Sequence, residues 1–181
     1  MADDRQEKVT MPRLAATPNA RAGRWHRAVR SLAGTAVVAR VYAPTLHLLD
    51  KAVHRVTGGR TTFASLVAGL PVFLLTTTGA RTGAPRTWPL VAVPAGGRLA
   101  VIATNWGSRH HPAWYHNLRS DPHALAVVEG VAVPVRAREV EGEERDRLWR
   151  MGVQIYPGWA AYERRAAPRR IPVLVLEAAD D

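Results

Sequence analysis

Between residues 72 and 104 the chain packs three strand-like runs so closely that an antiparallel sheet is the natural arrangement. The runs are 72–78, 87–94 and 99–104, rich in Val, Leu, Ile, Thr and Trp. The first connection is Gly79-Ala80-Arg81-Thr82-Gly83-Ala84-Pro85-Arg86, and the second turns at Ala95-Gly96-Gly97. Links this short make hairpins and leave no room for the crossover that parallel strands need. A three-stranded meander is predicted, with Phe73 and Leu75 facing one way and Leu74 and Thr76 the other.

Downstream, a short helix is expected from Pro112 to about Ser120-Asp121-Pro122. Residues 124–128 and 131–140 pair across Glu129-Gly130, and 141–151 reads as a helix, acidic at its start and basic towards its end. Tyr156-Pro157-Gly158-Trp159 turns into another helix containing Tyr162, which Pro168 stops, and 171–177 is a last apolar strand. About six mainly antiparallel strands with short inserted helices predict an α+β fold built on a small β-barrel. There is no βαβ alternation, no GxGxxG and no P-loop, which argues against a dinucleotide fold.

Upstream, residues 1–22 are polar and aperiodic and read as a disordered tail. Residues 23–60 read as N-terminal amphipathic helices. Trp25, Ala28, Val29, Leu32, Ala36 and Val37 share one face, and Leu46, Leu49, Val53 and Val56 share another. Their basic flanks leave two roles open: packing on the domain 61–181, or peripheral contact with an anionic membrane surface. No apolar run reaches the roughly 20 residues that span a bilayer. Asp3 and Asp4 stand where a secretion signal would be basic. A cytoplasmic protein is expected, with association at the cytoplasmic membrane face as the alternative.

The chain has no Cys, which excludes a disulfide framework, a thiolate metal site and a Cys nucleophile. Its formal charge of +10 calls for an acidic partner or is solvated surface. No Ser-His-Asp order or carboxylate pair stands out. His110, His111 and His116 lack metal-site spacing, since helix neighbours are three or four apart. An enzyme of this kind would leave the hard chemistry to a cofactor.

Arg81, Thr82 and Arg86 offer donors to a phosphate or carboxylate; the alternative is a solvated hairpin tip. Thr104 and Asn105 end a strand where amides can meet a heteroaromatic edge, or simply form a polar loop. Trp114 and Tyr115 are core or ligand-facing, and Asn117 bonds ligand or backbone. Tyr156, Trp159 and Tyr162, three apart, are either packed on the barrel or form an aromatic lid over a flat substrate.

Three separated motifs resemble the deazaflavin-dependent nitroreductase family. They are Leu74-Leu75-Thr76-Thr77-Thr78-Gly79-Ala80-Arg81-Thr82-Gly83-Ala84-Pro85-Arg86, His111-Pro112-Ala113-Trp114-Tyr115-His116-Asn117-Leu118 and Tyr156-Pro157-Gly158-Trp159-Ala160-Ala161-Tyr162. The resemblance implies a split β-barrel, coenzyme F420 (a 5-deazaflavin with an anionic tail), and hydride transfer to a quinone, nitroaromatic or activated alkene. By position, it implies that Arg81, Thr82 and Arg86 meet the phosphate and acidic tail. It implies that Thr87, Trp88, Pro89, Leu90 and Val91 line the ring and linker, and that Ile102, Ala103, Thr104 and Asn105 follow the ring edge. Ala113, Trp114, Tyr115, His116 and Asn117 would cradle the phosphate end. Trp159 would cover the ring, with Tyr156 and Tyr162 beside it at the substrate. No catalytic residue and no metal ligand follows from the resemblance.

Some positions depart from the family pattern. Ala80 and Asn105 stand where basic residues occur, His111 replaces an asparagine, and Trp159 replaces a tyrosine. An indole N–H is a poor proton donor compared with a phenol. The competing expectations are a deazaflavin-binding or storage protein without turnover, an FMN enzyme on the same barrel, and a nucleic-acid binder. The last lacks any recognition motif. The partner expected is a small-molecule acceptor.

Overall fold

The computed structural model describes residues 70–179. The expected tail at 1–22 and helices at 23–60 lie outside the described residues, as does the start of the expected 61–181 domain. The described elements are β1 (Val72–Thr78), β2 (Pro85–Val91), β3 (Val93–Pro94), β4 (Leu99–Ile102), a 3-10 turn (Asn105–Gly107), α1 (Ala113–Ser120), β5 (His123–Val128), β6 (Val131–Val140), α2 (Gly142–Ile155), α3 (Gly158–Ala166) and β7 (Val173–Ala178).

All pairings are antiparallel, in the order β2-β1-β5-β6-β7-β4-β3. Consecutive strands β2 and β3 therefore occupy opposite edges. Residues 87–94, expected to be one strand, break at Ala92: its amide donates to Pro71 O at 2.8 Å, one step beyond the Val72–Val91 pair, and Val93 then pairs with Ala100 instead. The break carries the chain from one edge of the curled sheet to the other, and makes seven strands rather than about six. It also alters the predicted meander: the third run pairs with β3 and β7, not with β2. That run stops at Ile102; beyond it the Ala103 amide still donates to Pro172 O at 2.9 Å, and the Ala103 and Thr104 carbonyls accept from Arg169.

Alternation along the strands sorts side chains into two cores. Phe73, Leu75, Val101, Val128, Val135 and Leu176 fill the inside of the curled sheet, where α1 inserts Trp114, Tyr115 and Leu118 as a plug. The opposite face, through Val93, Ala100, Ile102, Val173 and Val175, is covered by α2 and α3. β7 is buried on both faces, which explains its unbroken apolar sequence. The β5–β6 hairpin turns at Glu129 (φ 51°) and Gly130 (φ 86°), the two left-handed positions of the turn that suits strand twist.

Helix packing depends on one small residue. A Cβ on Gly152 would lie 2.5 Å from Trp159 Cζ3 and 2.6 Å from Ile102 Cδ1. Only glycine lets α2, α3 and β4 come this close. No helix of the described residues is long and apolar enough to cross a membrane.

Candidate cofactor site

The basic loop is a compact turn. Gly79 N donates to Ala84 O at 2.9 Å, Gly83 N to Gly79 O at 2.7 Å, and Thr82 Oγ1 accepts from Ala84 N at 3.4 Å. A Cβ on Gly79 would lie 2.9 Å from Ala84 O, so glycine is required there. The loop leaves Arg81, Thr82, Arg86 and Thr87 exposed. Among the described residues neither arginine pairs with a carboxylate. Two guanidinium groups on a fixed turn, with no counter-charge among the described residues, suit a polyanion.

Asn117 fastens this loop to α1. Its Nδ2 donates to Thr77 Oγ1 at 2.9 Å and its Oδ1 accepts from Ala80 N at 3.0 Å. Thr77 is 1% exposed and Asn117 7%. Of the bonds expected for Asn117, those to the Ala80 backbone and to Thr77 are seen, and through them its amide shapes the loop. Beside it, Thr76 and Thr87 join hydroxyl to hydroxyl across β1 and β2 at 2.8 Å.

A second region lies after β4. Asn105 (φ 45°), Trp106 (φ 56°) and Gly107 (φ 76°) are all left-handed, two of them carrying a Cβ. Such residues cost roughly 1–2 kcal/mol each. Thr104, with φ −67° and ψ −36°, precedes them in the right-handed region. A right-handed residue followed by a left-handed one aims successive amides at one point, which suits an anionic or carbonyl oxygen. The Asn105 and Trp106 amides donate to no acceptor outside the turn among the described residues.

The remaining candidates divide by burial. Ile102 packs with Trp159 in the outer core, and Ala103, Trp114 and Tyr115 belong to the barrel interior. Trp88 and Leu90 lean on that interior, while Val91 packs on the outer core and Pro89 is half-buried opposite Leu74. Ala113 and His116 are exposed on α1. The structure thus leaves Arg81, Thr82, Arg86, Thr87, Ala113 and His116 exposed, and Trp88, Pro89, Leu90, Val91, Thr104 and Asn105 partly accessible.

Tyr156, Trp159 and Tyr162 do come together, with ring centroids 6.0 Å apart for Tyr156–Trp159 and 5.9 Å for Tyr156–Tyr162. They are 6%, 5% and 2% exposed, which is the packed arrangement rather than an open lid. The Tyr156 and Tyr162 hydroxyls are 3.2 Å apart, and burial raises the pKa of both. The Arg165 guanidinium lies 4.7 Å from the Tyr162 ring centroid.

One set of contacts at this turn escaped the sequence. Arg169 donates through Nε to Ser108 O at 3.0 Å, through NH1 to Ala103 O at 3.2 Å and through NH2 to Thr104 O at 2.9 Å. Its NH1 also meets His111 Nδ1 at 3.2 Å. Between 58 and 66 residues separate it from these partners, and its only local signal is an arginine between Pro168 and Pro172. His111 is half-buried against Tyr115. A cleft of about 300 Å³ lined by His111, Tyr115, Glu139, Arg145 and Arg169 shares only Tyr115 with the cofactor candidates.

The F420H(2)-dependent quinone reductase family model matches residues 48–178. An F420H(2)-dependent quinone reductase of Mycobacterium tuberculosis strain H37Rv is 34% identical over 132 residues, covering 71% of this chain and 87% of the relative. A Mycobacterium bovis relative matches to the same extent. The solved structure of an F420-H2 dependent reductase (FDR-A) has TM-score 0.55 and 39% identity, covering 59% of this chain and 94% of that one. The expected split-barrel α+β fold is thereby established, and the FMN alternative finds no support. The chain belongs to the F420H(2)-dependent quinone reductase family.

Proposed function

We propose that this oxidoreductase uses reduced F420 to reduce a quinone. The observation that carries the reading is the family match across 48–178, which includes the basic loop, the left-handed turn and the late aromatic cluster. The residues suit the cofactor: among the described residues Arg81 and Arg86 have no carboxylate partner, and the Asn105 and Trp106 amides have no acceptor outside their turn. Arg81, Thr82 and Arg86 hold the phosphate and acidic tail, and Asn117 keeps their loop in place. Thr87, Pro89 and Val91 flank the ring and linker, and the 104–106 amides meet the ring's polar edge.

When bound, the reduced deazaflavin supplies the hydride, and quinone reduction then needs a proton. Tyr156 and Tyr162 hold protons at their hydroxyls across the working range, because burial raises both pKa values. Their place beside Trp159 makes them the acceptor-side residues of this reading, reached when the aromatic cluster opens. Activated alkenes and nitroaromatics are further acceptors, with nitroimidazoles disfavoured by the indole at Trp159.

A quinone is lipophilic, and the basic helices expected at 23–60 suit an anionic cytoplasmic membrane face. Fluorescence titration with F420, on the full chain and on Arg81→Ala and Arg86→Ala, tests the cofactor reading. Saturable binding weakened in both variants is expected; no binding contradicts it. Co-sedimentation with anionic vesicles, absent with neutral ones, tests the membrane contact.

A further inference from the structure

We propose that Arg169 is a positioning residue for the cofactor ring, clamping the 103–108 segment from behind so that the Asn105 and Trp106 amides face the ligand. This rests on the F420 reading above. Arg169 takes three carbonyls of one short segment, those of Ala103, Thr104 and Ser108. Arg165 adds a fourth, donating to Trp106 O at 3.2 Å. Two side chains from the end of α3 and the segment after it therefore gather carbonyls along this one side.

The clamp explains how the strained turn persists. Left-handed backbone at two non-glycine residues needs surroundings that over-determine it. Asn105 Nδ2 contributes a bond to His110 O at 2.9 Å, and Gly107 fits only as glycine, since a Cβ would lie 3.0 Å from Tyr162 Cα. Neither contact reaches the Ala103 and Thr104 carbonyls, which Arg169 alone among the described residues holds from another part of the chain. A guanidinium fork can take several carbonyls at fixed angles; an ammonium takes them as a point charge.

His111 makes the clamp sensitive to acid. An arginine donates only, so His111 Nδ1 must be unprotonated to accept from NH1. The charged groups facing His111 are His116 and Arg119 of α1, Glu139 of β6, and Arg169 itself. Glu141, Arg145 and Arg170 line the same cleft. Burial foremost, then Arg169, keeps the His111 pKa below 6.5, so the bond is intact at neutral pH. Protonation at lower pH removes the acceptor and sets a cation against Arg169.

The test compares the full chain with Arg169→Lys, Arg169→Gln and Arg86→Ala. The first readout needs no cofactor. Hydrogen exchange at Gly107 and Ser108, whose amides donate to Thr104 O and Asn105 O, should accelerate at least tenfold in both Arg169 variants. Exchange in β4 to β7 should keep the parental rate, as it should throughout in Arg86→Ala. The second readout is F420 affinity, expected to fall tenfold or more in the Arg169 variants with an unaltered salt dependence. In Arg86→Ala it should fall with a shallower salt dependence, because that side chain meets the anion directly. Exchange corrected for its intrinsic rate should also rise below pH 6.5 in the parent and not in His111→Gln.

Unchanged exchange overturns the clamp. Faster exchange with unchanged affinity overturns its role at the cofactor while leaving the F420 reading intact. Absence of F420 binding in the parent sinks that reading and this one together, and the exchange result still decides the clamp. If Arg169→Gln does not fold, Arg169→Lys decides each point.

Discussion

Asn117 Nδ2 donates to the buried Thr77 Oγ1 at 2.9 Å, while the same side chain accepts from Ala80 N at 3.0 Å. One amide thus ties the helix that plugs the barrel to the loop that presents Arg81 and Arg86. Asn117→Ala leaves the Thr77 hydroxyl, among the described residues, with a long bond to Arg86 O, 3.4 Å, and frees the loop. Urea unfolding should show a loss of about 1–3 kcal/mol, the range for a buried partner left unsatisfied. F420 affinity should fall as well. In Thr77→Val the Ala80 bond remains, so the affinity should change little.

Arg81 and Arg86 are exposed and lack carboxylate partners among the described residues. Their removal should therefore leave folding stability within about 0.5 kcal/mol, as for ordinary surface substitutions. Each substitution to alanine should weaken F420 binding about tenfold or more, the scale of a charge-assisted hydrogen bond. The difference from the parent should shrink at high salt, because exposed charges are screened. Titrations at two ionic strengths check this.

Gly152→Ala places a methyl into Trp159 and Ile102. Overpacking of this kind costs about 1–3 kcal/mol. Adding Ile102→Val removes Cδ1, one of the three atoms in the way, and should recover part of the loss. Thermal melts of the single and double variants give the comparison.

Tyr156 and Tyr162 link stability to alkaline pH. Both native pKa values are raised from 10 by burial, so above that pH the unfolded chain releases protons that the native chain holds. Stability should be flat with respect to these groups below pH 10 and fall above it. Tyr156→Phe removes one contributor and should flatten the decline. Denaturant midpoints at a series of alkaline pH values measure it.

Much of the barrel was legible because alternation and short turns are local signals. Phe73 and Leu75 do share the inner face, and Glu129-Gly130 does turn the hairpin. The break at Ala92 was not legible, because Val91, Ala92 and Val93 carry no turn residue; only closure of the sheet divides them. The site was legible where its residues are contiguous, as in the basic loop. It was illegible where a contact spans the chain. Nothing near Arg169 announces the Thr104 carbonyl, 65 residues away. Spacing also left the late aromatics undecided between lid and core, and burial places their side chains in the outer core.

The most direct test of the central claim is anaerobic mixing of the full chain with reduced F420 and a menaquinone analogue, followed by the return of oxidised deazaflavin absorbance. We expect oxidation that depends on both protein and quinone, and that slows in Arg86→Ala at limiting cofactor. Folded protein that binds F420 yet leaves it reduced across a panel of quinones would contradict the account.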